Sequence, residues 1–143
     1  MSSRRRAREV ALQALYQLDA NPATEPEHLG RFLVGRLRSC PLVEFAHSLV
    51  SGVRQEQAAL DATLDGLAQH WRVSRMAATD RAVLRIAVFE LLHTDVPGPV
   101  AIDEAIELAR RYGTEASPKF VAGILGRVLA DRDRPADAPA PAS

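Results

Sequence analysis

Several residue types that mark specialised classes of protein are scarce in this sequence. Cys40 is the only cysteine among 143 residues, which excludes an internal disulfide and favours a reducing compartment. Aromatic residues make up 5% of the chain, and no apolar run approaches the length needed to cross a bilayer. The formal net charge is +0, so the chain as a whole is not a generic polyanion binder. What remains is one domain, long enough to bury a core without disulfides or metal.

Motifs of nucleotide and metal chemistry are also missing. There is no P-loop and no glycine-rich dinucleotide motif. The four histidines lie far apart, without the spacing of metal ligands: His28, His47, His70 and His93. An enzyme is therefore the less favoured class, and no cofactor is expected. The basic N-terminus leads into an amphipathic segment rather than a continuous apolar one, so we expect no signal peptide and a cytoplasmic protein.

Lysine is nearly absent as well, because 17 of the 18 basic residues are arginine and Lys119 is the exception. Arginine at any one site is therefore a habit of the chain and does not by itself indicate phosphate recognition. The placement of the arginines is more informative. Four of them fall in the first turns of a predicted helix, where the helix dipole favours acids: Arg4, Arg5, Arg6 and Arg8. Each such cation costs roughly 0.3–1 kcal/mol at low salt. Local stability would not select this arrangement, so it predicts a polyanion site, with a solvated basic face as the alternative.

The segment Thr79–Leu92 is the predicted centre of the fold. It contains no proline or glycine, and its apolar residues cover nearly every side of a helix. Such a helix is buried on nearly every side, and this one is too short to span a membrane. Arg85 and Glu90 lie within it. Because an unpaired buried charge is costly, we expect each of them to form a structural salt bridge.

Amphipathic segments on both sides of this helix predict an all-α fold. The spacing of apolar residues predicts helices over residues 4–18, 27–37, 42–70, 100–112 and 117–131. Gly52 lies inside the longest of them and predicts a close helix crossing, because glycine within a helix otherwise costs roughly 1 kcal/mol. We therefore expect a bundle of about six to seven helices over residues 1–132, followed by a disordered Pro/Ala-rich tail at 133–143.

Two aromatic residues fall away from the apolar stripes of their helices. Tyr16 forms an outward pair with Leu12, and the sequence leaves open whether a second layer of this protein or a partner covers the pair. Phe120 lies beside Lys119 on the outer side of the last helix. It is either a platform on which a nucleotide base stacks or a side chain packed against the preceding loop.

Three segments together resemble the NusB family of bacterial transcription antitermination factors, from Arg4 to about residue 130. They are RRRAREVALQALY at 4–16, DRAVLRIAVFEL at 80–91, and a third that runs from Val96-Pro97 through AIDEAIELA at 101–109 to SPKFV at 117–121. In this order and spacing the three segments are highly specific. The resemblance implies an all-helical fold of two three-helix units, with the first helix shared into the core.

The resemblance also implies partners and site residues. It implies that the chain binds the boxA segment of ribosomal RNA leader transcripts as single-stranded RNA. The binding takes place with NusE, a small-subunit ribosomal protein, in the RNA polymerase antitermination complex. The family's RNA-contacting positions fall on Arg4, Arg5, Arg6, Arg8, Lys119 and Phe120, and its NusE-facing positions on Tyr16 and Asp80. Ala116 and Ala122 depart from the acid and the asparagine that members often carry there, which concerns the RNA contacts rather than the fold.

Two other functions remain as alternatives. The sequence is similar to the RNA-binding helical domain that precedes the catalytic domain of some ribosomal RNA cytosine methyltransferases, but it contains no cofactor-binding domain. A purely structural helical dimer module is the third interpretation, and salt-dependent RNA binding would distinguish it from the first. Family members occur both as monomers and as dimers, so the sequence leaves a homodimer open.

Overall fold

The computed structural model describes residues 3–67 and 72–135, and its regular structure in those ranges is entirely helical. Its α-helices are α1 (Ser3–Ala20), α2 (Pro26–Leu37), α3 (Cys40–Leu67), α4 (Ala78–His93), α5 (Gly98–Tyr112) and α6 (Ser117–Asp133). A 3₁₀ turn at Val73–Arg75 precedes α4. The predicted all-α fold is confirmed, and the predicted helix ends that fall within these ranges lie within two residues of the observed ones.

The helices pack as two groups of three. Helices α1, α2 and α3 contact one another, and so do α4, α5 and α6. Helix α4 also packs against α1 and α3, which joins the two groups into one body. The expected pair of three-helix units is therefore confirmed, with α1 shared into the common core.

Helix α4 lies at the centre of the molecule. Its buried residues are Ala82, Val83, Leu84, Arg85, Ile86, Ala87, Val88, Glu90 and Leu91. Full burial of a Leu, Ile or Val side chain contributes roughly 1.5–3 kcal/mol, so this one helix supplies a large share of the hydrophobic stabilisation. The predicted centre is confirmed, except that Leu92 at its last turn is exposed.

Both buried charged residues of α4 have the ion-pair partners that the sequence required. The Nε and Nη2 atoms of Arg85 donate to the two carboxylate oxygens of Asp61 on α3, each over 2.8 Å. Glu90 accepts two hydrogen bonds from Arg8 on α1. These pairs connect α4 to the first three-helix unit through charged as well as apolar contacts.

Two glycines are explained by close approach rather than by unusual backbone angles. A methyl group on Gly52 would overlap the ring of Phe89, so the predicted close crossing between α3 and α4 is confirmed. Gly113 follows α5 with extended backbone angles, and a Cβ there would collide with Ser117 and with the carbonyl oxygen of Ala109. A side chain larger than that of glycine would therefore not fit just past the end of α5.

Some sequence predictions concern residues outside the described ranges. The continuation of the third helix to residue 70 falls there, and so does most of the predicted tail, at 136–143. Helix α6 extends through Asp133, so the first residue assigned to that tail is helical. Among the helices that are described, none combines the length and apolarity required to cross a membrane.

Candidate nucleic-acid interface

Arg8 is the innermost of the four N-terminal arginines. Its Nε and Nη2 atoms donate to Oε1 and Oε2 of Glu90, both over 2.8 Å. Only 5% of the Arg8 side chain and 1% of the Glu90 side chain are exposed. The expectation that Arg8 lies on an outer basic face is therefore wrong, because its guanidinium pairs with a buried carboxylate on α4.

Arg5 forms a similar pair at the surface. Its Nε and Nη2 atoms donate to the carboxylate of Glu104 on α5, over 3.2 and 2.9 Å. The Arg5 side chain is 55% exposed, whereas Glu104 is 14% exposed. These hydrogen bonds and the attraction between the charges lower the pKa of Glu104, although partial burial opposes the shift, and they raise the pKa of Arg5.

Arg6 shares a carboxylate with the far end of α5. Glu9, which is nearly buried, lies 3.5 Å from Nη1 of Arg6 and also pairs with Arg111. The hydroxyl of Tyr112 donates to the same carboxylate over 3.3 Å. The sequence analysis did not identify Arg111, which lies in the last turn of α5, as a neighbour of Arg6. No local pattern reveals it, since Glu9 and Arg111 are 102 residues apart.

Arg4 lies over an aromatic ring. Its guanidinium carbon is 4.6 Å from the ring centre of Phe45 on α3, and that of Arg8 is 5.2 Å from the same centre. Cation–π contacts of this kind hold an exposed guanidinium in place without neutralising its charge. Phe45 fits the apolar spacing of α3, and that spacing gives no sign of its contact with Arg4.

A wide depression of about 910 Å³, which we call the arginine groove, begins at these residues. It is lined by Ser3, Arg4, Arg5, Arg8, Phe45, Ser48, Thr94, Asp95, Val96, Pro97, Val100 and Glu104. The arginines on it are not simply unfavourable charges at a helix N-terminus. Arg5 and Arg8 pair with glutamates on other helices and Arg6 pairs with Glu9 on α1, so ion pairs offset part of the dipole conflict on which the sequence argument for an external polyanion relied.

Phe120 and Asp80 share a second pocket, of about 250 Å³, which we call the Phe120 pocket. Phe120 is partly buried, and Thr114 and Ala116 of the preceding loop line the pocket with it. Oδ1 of Asp80 is buried and has no hydrogen-bond partner among the described residues. Phe120 packs against the core and also lines this pocket, so the stacking role stays a prediction.

Two cations on α6, Lys119 and Arg127, differ in their surroundings. Lys119 is exposed on the first turn of α6. Arg127 donates from Nη1 to the carbonyl oxygen of Leu67, over 3.1 Å, at the end of α3. A backbone carbonyl leaves the positive charge of Arg127 in place, but it fixes the direction in which the side chain points.

Tyr16 lines a third pocket, of about 410 Å³, which we call the Tyr16 pocket. Phe32, Arg36 and Tyr112 line it as well, and the Tyr16 side chain is 49% exposed. Leu12 is buried, so the outward pair predicted from the sequence is separated: this chain covers Leu12 itself and leaves Tyr16 open.

Helix α5 and the first turn of α4 connect these sites along the chain. Glu104 lies in the first half of α5, which ends at Tyr112 after roughly 12 Å more of helix, and Thr114 in the Phe120 pocket follows that end. Thr79 lines the Tyr16 pocket and its neighbour Asp80 lines the Phe120 pocket. Tyr16 and Asp80 therefore do not share one pocket but flank the start of α4.

The sequence matches a known protein family over most of its length. The sequence model of the NusB family matches residues 5–130. A transcription antitermination protein NusB from Anaeromyxobacter dehalogenans is 48% identical over 130 residues, which cover 90% of this chain and 92% of that protein. The protein of the same name from Myxococcus xanthus is 40% identical, over 94% of this chain and 100% of its own length.

Solved structures agree with the fold. NusB from T. maritima matches with a TM-score of 0.81 and 36% identity, over 91% of this chain and 92% of that one. A crystal structure of the antitermination factors NusB and NusE in complex with dsRNA matches with a TM-score of 0.78 at 24% identity, over 90% and 96% of the two chains. Since the family match spans most of the sequence, and relatives of nearly the same length are well above 30% identical, this chain belongs to the NusB family.

Proposed function

We propose that this protein is a transcription antitermination factor that binds single-stranded boxA RNA of ribosomal RNA leader transcripts together with NusE. In this proposal it acts in the cytoplasm within the RNA polymerase antitermination complex. Membership of the NusB family supports the general role, and a related structure contains both NusE and RNA. The arginine groove is the observation that carries the proposal, because it places exposed guanidinium groups beside an aromatic ring on a chain with no net charge.

Phosphate contacts come from the exposed arginines of α1. Arg4 has its charge uncompensated by a carboxylate in the described residues and lies over Phe45. Arg5 and Arg6 are paired but exposed, so each keeps donors that face solvent. Arg111, which is 55% exposed beside Arg6, extends this surface towards the Tyr16 pocket. Arg8 is assigned no phosphate, since its guanidinium is buried against Glu90.

A base contact comes from the Phe120 pocket. One face of the ring borders the pocket, and Lys119 beside it supplies a cation at the rim. Stacking of a single-stranded base on an aromatic side chain contributes roughly 1–3 kcal/mol and tolerates any base. A strand of a few nucleotides is long enough to reach from the arginine groove along α5 to this pocket, since roughly 12 Å of helix lies between Glu104 and the end of α5, two residues before Thr114.

NusE is proposed to bind over the Tyr16 pocket and the start of α4. A half-exposed tyrosine above an apolar depression is the kind of anchor that interfaces favour, and Asp80 supplies an acid for a basic ribosomal protein. Because Asp80 borders the Phe120 pocket, NusE and the RNA would meet there. Linkage then requires each ligand to tighten the binding of the other by the same factor.

The decisive experiment is a fluorescence anisotropy titration of a boxA oligonucleotide and a scrambled control, each with and without NusE. We expect preference for boxA and modest affinity for the lone protein, because the phosphate contacts are few. We also expect tighter binding when NusE is present. Equal affinity for boxA and scrambled RNA under both conditions would contradict the proposed specificity.

A charge reversal separates the two surfaces. Asp80→Lys should abolish the enhancement by NusE while RNA binding by the lone protein stays nearly intact. Glu107→Lys is a matched control, because it reverses an acid on α5 that pairs only with its neighbour Arg110. If the lone protein binds RNA as tightly as the pair does, the cooperative part of the proposal is wrong.

A further inference from the structure

Four residues form a chain of alternating charges that leads from the surface of α1 into the core. Arg5 pairs with Glu104, an oxygen of Glu104 lies 3.7 Å from Nη1 of Arg8, and Arg8 is paired with Glu90. Exposure falls steadily along this chain, from 55% at Arg5 through 14% at Glu104 to 5% and 1% at the buried pair. The outermost arginine is thus connected through charged contacts to the centre of the protein.

Glu104 is held on its inner side by this chain. Arg8 cannot move towards solvent without leaving Glu90 buried and unpaired, which is strongly unfavourable. The position of Arg8 in turn fixes where the carboxylate of Glu104 is most stable. Glu104 is therefore a fixed acceptor, whereas an isolated surface glutamate would sample several rotamers.

The geometry of the outer pair leaves one edge of Arg5 available. Nε and Nη2 face Glu104, so the Nη1 side of the guanidinium lies outside the pair. Because a guanidinium is planar, two hydrogen bonds on one edge determine the plane and direction of the other edge. An arginine held in this way loses less side-chain freedom when it binds a ligand than a free surface arginine does.

We propose that Glu104 is a positioning residue for RNA binding, which holds the guanidinium of Arg5 so that its outer edge meets a phosphate. This inference rests on the proposed function, because it assigns a geometry to one of its phosphate contacts. The effect of Glu104 on RNA affinity is then opposite in sign to the one expected from charge alone, because an acid beside a polyanion site should weaken binding. The sign of the effect therefore decides between positioning and repulsion.

The first test replaces Glu104 by its neutral isostere. Glu104→Gln should weaken binding of a boxA oligonucleotide on the order of three- to tenfold, which corresponds to the ordering of one long side chain. Glu107→Gln removes the same charge one turn along α5 and should leave affinity unchanged or slightly higher. Tighter binding by Glu104→Gln than by the wild type would overturn the proposal and show that Glu104 competes with phosphate for Arg5.

A second variant tests the same point without removing an acid. Arg5→Lys keeps the positive charge but cannot form two parallel hydrogen bonds to a carboxylate. It should weaken binding about as much as Glu104→Gln does, and the double variant should be little worse than either single one. Wild-type affinity in Arg5→Lys would show that charge alone matters and would overturn the proposal.

The outcomes also distinguish this inference from the proposed function. Loss of affinity in Glu104→Gln with only a small change in melting temperature supports positioning, whereas additive effects of Arg5→Lys and Glu104→Gln contradict it. If the wild-type protein fails to bind boxA RNA at any salt concentration, with and without NusE, the proposed function itself fails and the positioning role fails with it.

Discussion

Two arginines three residues apart on α1 make nearly the same contact with very different surroundings. Arg8 and Arg5 each donate from Nε and Nη2 to a glutamate on a distant helix. The inner pair is almost completely buried, while Arg5 of the outer pair is more than half exposed. Burial rather than residue type therefore decides what each arginine can do: the inner pair fastens α1 to α4, and the outer one is accessible to a ligand.

The largest expected effect concerns the inner pair. Arg8→Ala should lower the free energy of unfolding by about 3–5 kcal/mol, because it leaves the carboxylate of Glu90 buried without a partner. Urea denaturation of this variant and of Arg5→Ala measures the contrast, since the exposed pair is screened by solvent and should matter far less. Similar losses in the two variants would contradict the distinction between the inner and the outer pair.

A compensating pair of substitutions sharpens this test. If the loss arises from an uncompensated charge, Arg8→Met combined with Glu90→Leu should recover most of the stability of the wild type. The double variant should also show a negative deviation from additivity, because the two residues are in contact. A double variant as unstable as the sum of the single ones would instead indicate that Arg8 and Glu90 act through packing.

The second largest effect concerns the uncharged region of the proposed RNA surface. Phe120→Ala should weaken RNA binding by about 1–3 kcal/mol with little change in melting temperature. Because stacking involves no counterion release, the slope of log K against log salt should stay the same, in contrast to arginine variants. A large loss of melting temperature with intact RNA binding would show that Phe120 serves mainly the core, against which this partly buried side chain packs.

The same comparison explains how far the sequence could be interpreted. Apolar periodicity predicted the helices and the buried α4, because a repeat of this kind is a local property. The burial predicted for this helix also indicated that Arg85 and Glu90 need ion-pair partners. It could not identify those partners, since Arg8 and Glu90 are 82 residues apart and only the packing of α1 on α4 brings them together.

The candidate site was less predictable than the fold for the same reason. A helical projection places Arg8 at the edge of the apolar stripe, where either burial or exposure is compatible with the pattern. Phe45 fits the stripe of α3 although its ring also contacts Arg4. Arg111 matches the helix dipole and gives no local sign of its contact with Glu9. In each case the side chain contacts a residue on another helix, which local sequence spacing does not reveal.

A smaller effect is expected when the outer arginines are neutralised together. Arg5→Gln with Arg6→Gln should reduce the slope of log K against log salt by roughly 1.4, at about 0.7 for each phosphate contact with a single strand. Stability should fall slightly, because Glu104 and Glu9 lose one partner each but keep Arg8 and Arg111 nearby. RNA titrations at several salt concentrations measure the slope, and an unchanged slope would remove both arginines from the RNA surface.

The smallest effect is a dependence of stability on pH through Glu104. Hydrogen bonds from Arg5 hold the pKa of Glu104 in the folded state below its usual value of 4.5, so the folded state binds fewer protons than the unfolded state in this range. The stabilisation is fully present above the usual pKa and is lost as pH falls through the lowered folded-state pKa. The melting temperature of the wild type should therefore exceed that of Glu104→Gln by a constant, small margin near neutral pH. That margin should close as the pH falls through the lowered folded-state pKa and shrink at high salt, because Arg5 is exposed and its charge is screened. A margin that persists unchanged in acid would show that the two variants differ in packing at residue 104 rather than in charge.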